Sequence, residues 1–271
     1  MKNQSHKKII FPVVLFSGLL LLISNLLILN KFIRPKKING QIANSYKCET
    51  FHLPILMYHY VEYVKDKRDT IRQKLNITPD VFEKQLLTLR NSGYTFITAK
   101  DLGDILDEKM TIPKKAIILT FDDGHRDFYT DVFPLLKKYN IRATAYIVPG
   151  LLEKNDFMTR EQLKEVVSSN LVEIGAHSVN HISLKGKSTI EVENEIEKSK
   201  EILENDYKIK VFSFAYPYGA FDLQAINLVK SAGFTTSVST IPGLLQNSQN
   251  RFFLYRLRPG ISMGTELLKI L

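Results

Sequence analysis

Cysteine is nearly missing from this chain: Cys48 is the only one in 271 residues. That excludes a disulfide-stapled mini-protein. Cys48 lies in no convincing lipidation context and reads as an incidental thiol. Glycine and proline, at 13 and 10 residues, are too sparse for a collagen-like or disordered chain. Neither a Gly-x-Gly-x-x-Gly nor a P-loop follows any candidate strand, so nothing supports a nucleotide site. There is no internal repeat. The body of the chain also lacks an excess of one charge. The formal net charge is +9, yet residues 1–50 hold eight basic side chains against the single acid Glu49, which leaves the rest at +2. The basic balance belongs to the N-terminal segment, and no nucleic-acid partner is expected. What is present is 44% hydrophobic residues, enough for one substantial core.

Residues 9–29 read IIFPVVLFSGLLLLISNLLIL, without a charge. As a helix at about 1.5 Å per residue this run spans roughly 31 Å, close to the hydrocarbon thickness of a bilayer. It is longer than the apolar region of a secretory signal, and no Ala-x-Ala pattern follows it. An uncleaved single-pass anchor is expected, with a cleaved signal as the alternative. Lys2, Lys7 and Lys8 before the run nearly balance Lys31, Arg34, Lys36 and Lys37 after it, so flanking charge does not orient it. The expected organisation is a basic tail over 1–8, an anchor over 9–29, a polar linker over 30–52 and one folded domain over 53–271. That domain is expected outside the cytoplasm at the cell membrane, or secreted if the segment is cleaved.

Beyond the linker, short apolar runs alternate with amphipathic stretches. Strands are predicted at 54–58, 95–98, 116–120, 143–148, 172–176, 211–215, 235–238 and, weakly, 252–257. Helices are predicted at 80–91, 99–107, 131–139, 160–169, 189–205 and 222–231. Thr78 before Pro79 makes an N-cap with proline at the first helical position, and Thr98 with Asp101 makes a capping-box-like start. Gly93 and Gly233 sit where helices should stop. Such alternation implies parallel strands joined by right-handed crossovers: an α/β fold, either a deformed (β/α) barrel of about seven strands or an open doubly wound sheet.

Function in both architectures collects at the C-terminal ends of strands, and three of these ends are unusually polar. Thr120-Phe121-Asp122-Asp123-Gly124 puts two adjacent carboxylates at the end of a buried strand, which is costly unless a cation offsets their charge. His177-Ser178-Val179-Asn180-His181 holds two histidines four apart, on one face if the segment is helical. An Asp and two His make a three-ligand set that leaves positions open for water. It suits Zn²⁺ first, with Co²⁺, Ni²⁺ or Fe²⁺ as alternatives. Phe214-Ala215-Tyr216-Pro217-Tyr218-Gly219 forms a shaped loop with aromatic walls. For each fragment alone, an ordinary loop or core role competes.

TFDDG, HSVNH and FAYPYG, in this order and each at a strand end, resemble the motifs of the NodB-like polysaccharide deacetylases, carbohydrate esterase family 4. The resemblance covers about residues 53–257. It implies a deformed barrel and metal-dependent removal of acetyl groups from an N-acetylated glycan polymer. It also implies Asp123, His177 and His181 as metal ligands, Asp122 as general base, and the backbone N–H of Tyr218 as a holder of the oxyanion.

Two departures stand out. No Arg precedes the Pro-Tyr of the third motif, and no His follows His181, so the usual C-terminal acid is absent. His59, in Met57-Tyr58-His59, matches a subgroup resembling the poly-β-1,6-N-acetylglucosamine deacetylases of biofilm systems. There, a protonated N-terminal His is the acid. Peptidoglycan or chitin-type oligomers remain as alternative substrates, and a catalytically silent glycan-binding domain as an alternative class. His52 is expected to face solvent. His125 is an open candidate for a ligand or substrate contact, Tyr60, Tyr216 and Tyr218 for sugar stacking, and Arg256 and Arg258 for support of the base or for surface positions. The sequence names no protein partner.

Overall fold

The run Ala116–Phe121 buries all six of its side chains. Ile117, Leu119 and Phe121 pack outward against helices, while Ala116 and Ile118 join an inner cluster with Ile55, Ile97, Tyr146, Ala215, Val238 and Leu254. A strand apolar on both faces needs cover on both, which a barrel wrapped in helices supplies. The computed structural model describes residues 50–66 and 68–271. The expected tail over 1–8, the anchor over 9–29 and nearly all of the linker over 30–52 lie outside the described residues. Among the described residues no helix is long and apolar enough to cross a membrane.

Eight strands form the main sheet: β1 (Ile55–Tyr58), β2 (Thr95–Ile97), β3 (Ala116–Phe121), β4 (Ala143–Ile147), β5 (Val172–Ala176), β6 (Ser213–Ala215), β7 (Thr236–Pro242) and β8 (Leu254–Arg256). They run in the order β8-β7-β6-β5-β4-β3-β1, with β2 beside the start of β3, and every pairing is parallel. The sheet curls until its ends meet. Met57 N–H donates to Leu257 O at 2.9 Å and Leu257 N–H to Ile55 O at 2.8 Å. The result is a nearly closed seven-strand barrel rather than an open sheet.

The helices fall where the capping residues place them. Thr78 caps α2 (Pro79–Asn91), after the short α1 (Thr70–Leu75), and Thr98 and Asp101 close a full capping box on α3 (Ala99–Leu106). Then come α4 (Phe133–Tyr139), α5 (Arg160–Ser168), α6 (Thr189–Tyr207), α7 (Leu223–Ser231) and α8 (Gly264–Lys269). One expectation changes. The helix predicted from 131 opens instead as a π turn over Phe128–Val132, and Pro134, which has no N–H to continue an α ladder, sits just beyond it. No helix joins β7 to β8. The connection pairs Leu245–Gln246 antiparallel with Phe51–His52, which leaves His52 exposed as expected.

The π turn is anchored to the loop after β1 by Val61 N–H, which donates to the Asp127 carboxyl. Burial raises the Asp127 pKa to about 6. A carboxyl raised this far favours the fold while protonated, and that contribution is lost as pH rises from its ordinary value through about 6. Asp127→Asn keeps an acceptor and carries no charge. Its stability relative to the native protein should therefore grow between pH 4 and pH 7, by on the order of 3 kcal/mol. Urea unfolding across that range checks this, and a difference independent of pH would contradict it.

Candidate active site

Three loops leave the C-terminal ends of β3, β5 and β6 and converge on one cleft of about 440 Å³. It is lined by His59, Asp122, Asp123, His177, His181 and Tyr218, among others, so the residues singled out from the sequence share one site.

Asp123, His177 and His181 offer ligand atoms within 4.8 Å of one another. Asp123 Oδ1 lies 3.3 Å from His177 Nε2 and 3.1 Å from His181 Nε2, yet it is buried and makes no hydrogen bond. A buried carboxylate oxygen facing two imidazole nitrogens without a hydrogen bond is what a cation-binding set presents. His177 Nδ1 lies 2.7 Å from Ala215 O. That carbonyl accepts only from a protonated Nδ1, so Nε2 is left with its lone pair toward Asp123. The donor set therefore fits a divalent ion. Burial opposes charge on His177, but Asp123 and Asp122 outweigh it and raise its pKa. Protons thus compete with the ion, and affinity should fall on acidification.

The two histidines do not meet through a helical turn. Residues 177–181 form a loop in which Ser178 and His181 adopt left-handed φ of 62° and 56°. Glu195 on α6 holds that loop: its carboxylate accepts from Val179 N–H and Asn180 N–H, both at 2.9 Å, and from Asn180 Nδ2 at 2.7 Å. Asp123 and Tyr218 have left-handed φ as well, 75° and 59°. Four non-glycine residues in this sparsely populated region within one site mark a backbone shaped for more than folding.

Asp122 extends the inward face of β3 beyond Ile118 and Thr120. Arg256 on β8, 1% exposed, grips it with two hydrogen bonds of 2.7 Å and also donates to Thr120 Oγ1 and Ser239 O. Burial alone would raise the Asp122 pKa, but the guanidinium outweighs it and holds the carboxyl below its ordinary value. His59 Nε2 lies 4.0 Å from Asp122 Oδ2. Burial lowers the His59 pKa despite the two aspartates, and Arg256 and Arg258 push the same way. The histidine that the resemblance implies as the acid thus lies beside the implied base, with burial working against its charged form.

Residues 109–237 match the sequence model of the family described as "Polysaccharide deacetylase". The matched residues, which carry all three polar loops of the cleft, are a polysaccharide deacetylase family domain. Members of this family are metal-dependent in general, which accords with the set at Asp123. The Bacillus subtilis protein YxkH is 29% identical over 212 residues, 78% of this chain and 73% of its own. Poly-beta-1,6-N-acetyl-D-glucosamine N-deacetylase of Staphylococcus aureus is 27% identical over 195 residues, 67% of each chain. The structure of the Streptococcus pyogenes deacetylase PplD in complex with acetate superposes with a TM-score of 0.75 at 28% identity, covering 82% of this chain and 98% of that one.

This deacetylase accounts for the departures seen in its sequence. The third motif holds no arginine, and Arg256 reaches Asp122 from another strand. Arg258 differs: it lines the cleft. Among the three tyrosines considered for sugar stacking, Tyr216 is wholly buried with its hydroxyl on Phe252 O, and Tyr60 is stacked on His125. Tyr218 is 67% exposed and leans over His181, with ring centroids 4.6 Å apart. The turn depends on Gly219, whose φ is +65° and where a Cβ would lie 2.0 Å from Thr240 Oγ1. Gly219→Ala should cost at least about 2 kcal/mol in urea unfolding, and adding Thr240→Ala should recover only part of it, because the Cβ of residue 240 would still lie 2.8 Å from the new one and the backbone strain would remain. Full recovery would show that neither the remaining contact nor φ carries strain here.

Proposed function

We propose that this enzyme removes N-acetyl groups from N-acetylglucosamine residues of a cell-surface polysaccharide, with poly-β-1,6-N-acetylglucosamine as its substrate. The observation that carries the hydrolytic reading is the ionised, arginine-gripped Asp122 beside the Asp123–His177–His181 set in an open cleft. A silent glycan-binding domain needs neither. The β-1,6 linkage rests on His59 at the end of the first strand and on the likeness to the Staphylococcus aureus enzyme. The uncharged run over 9–29 supports placing the domain at the outer face of the membrane, tethered or secreted, where such polymers lie.

A divalent ion held by Asp123, His177 and His181 would supply Lewis acidity toward the acetyl carbonyl and a more acidic water. Asp122 takes a proton from the attacking water, whose oxygen bonds to the acetyl carbon. The Tyr218 N–H holds the developing oxyanion. His59 gives a proton to the leaving nitrogen as the C–N bond breaks, and the proton taken up at Asp122 restores it. Acetate and a free glucosamine amine result. Tyr218 offers the exposed ring on which a sugar stacks.

The test is acetate release by the metal-loaded chain from β-1,6- and β-1,4-linked N-acetylglucosamine oligomers in parallel. The β-1,6 oligomer should be hydrolysed at least about tenfold faster. A preference for the β-1,4 oligomer would move the substrate to peptidoglycan or chitin-type glycans, and release from neither would overturn the reading.

A further inference from the structure

One buried histidine of the site has no part in the chemistry above. His125 follows the TFDDG run and is 5% exposed. Its Nε2 lies 3.1 Å from Asp123 Oδ2, while its Nδ1 is buried with no hydrogen-bond partner. The ring is clamped, with Tyr60 stacked at 4.1 Å and Phe157 at 4.7 Å between centroids. The backbone is tied on both sides of it: Met158 N–H donates to Gly124 O, and Arg126 N–H to Asp156 O. The imidazole therefore has one orientation and one polar contact.

We infer that His125 is a positioning residue that confines Asp123 to a single metal-facing oxygen. Resting on the proposed metal site, the inference runs from the two carboxylate oxygens. Oδ2 is occupied by His125, and a carboxylate oxygen can only accept, so Nε2 carries the proton. Oδ1 is then the oxygen left to face His177 and His181. An unrestrained carboxylate can chelate an ion through both oxygens and fill a coordination position. One whose Oδ2 already accepts from an N–H is biased toward binding through Oδ1 alone, which leaves that position for water and the acetyl oxygen. Hydrogen bonds of this kind to ligating groups are worth about 10–100-fold in metal affinity.

The test separates the donor from the ring. His125→Phe keeps an aromatic ring between Tyr60 and Phe157 but no donor, whereas His125→Gln keeps an N–H donor but no ring. Zn²⁺ dissociation constants are measured on the full chain by competition with a chromophoric chelator, and the visible spectrum is recorded with Co²⁺. H125F should bind Zn²⁺ about 10–100-fold more weakly, with a weaker Co²⁺ band as the coordination number rises. H125Q should stay within about threefold of the native protein. Equal losses, no loss, or a loss confined to H125Q would overturn the inference and leave His125 a packing residue. Should H125F not fold, ¹⁵N-histidine spectra of the Zn²⁺-loaded native protein decide: a proton on His125 Nε2 is expected, and an Nε2 without one overturns it. Zn²⁺ binding without acetate release would sink the proposed function and leave this inference standing. A native chain that binds neither ion would overturn both.

Discussion

Asp122→Asn should reduce acetate release by about a thousandfold or more while leaving Zn²⁺ affinity within a few-fold of the native protein. The amide preserves volume and can still accept from Arg256, but it cannot take a proton from water. A positioned general base contributes about 10²–10⁴ in rate. Asp122 also sits one residue from the ligand set rather than in it: its carboxylate is held by Arg256 at 2.7 Å on each oxygen. Turnover and metal affinity should therefore separate. Asp123→Asn, by contrast, should lose both. Initial rates and chelator competition on the two variants make the comparison, and normal turnover by D122N would remove the base from the proposed reaction.

Arg256→Met should cost about 3–5 kcal/mol of stability at neutral pH, because it leaves a buried carboxylate without its counter-charge. The direction with pH is distinctive. In the native protein the Asp122 carboxyl is held below its ordinary value, so its contribution is present above that value and lost as pH falls through the lowered one. Without the guanidinium, burial alone acts and the carboxyl moves upward. The deficit of R256M should then shrink as pH falls and Asp122 takes a proton. Combining R256M with D122N should recover much of the loss, since the amide carries no charge to strand. Urea unfolding of the four proteins measures the coupling. Additive losses would mean that the two residues are not energetically paired.

The parallel barrel was legible because buried parallel strands read as near-continuous apolar runs and because capping residues mark where each helix begins. The site was legible where chemistry sits next to a strand end: Asp122 and Asp123 after β3, His177 after β5, Tyr218 after β6. Arg256 was not assignable, since its partner lies 134 positions away and its strand is three residues long. The convergence of His177 and His181 was anticipated for a helical turn. The actual route runs through left-handed residues braced by Glu195, which no hydrophobic period announces. Helix α1 is silent in the sequence for a related reason: none of its six residues is buried, so it has no apolar face, only the Asp69 cap.

One measurement bears most directly on the central claim that a single divalent ion on Asp123, His177 and His181 supports hydrolysis. Acetate release from a β-1,6-linked N-acetylglucosamine oligomer is followed as Zn²⁺ is titrated into chelator-stripped protein. The account predicts no release from stripped protein, a linear rise to a break at one ion per chain, and no rise at all in a His177→Ala variant. Undiminished release after stripping, or full reactivation of that variant, would contradict it.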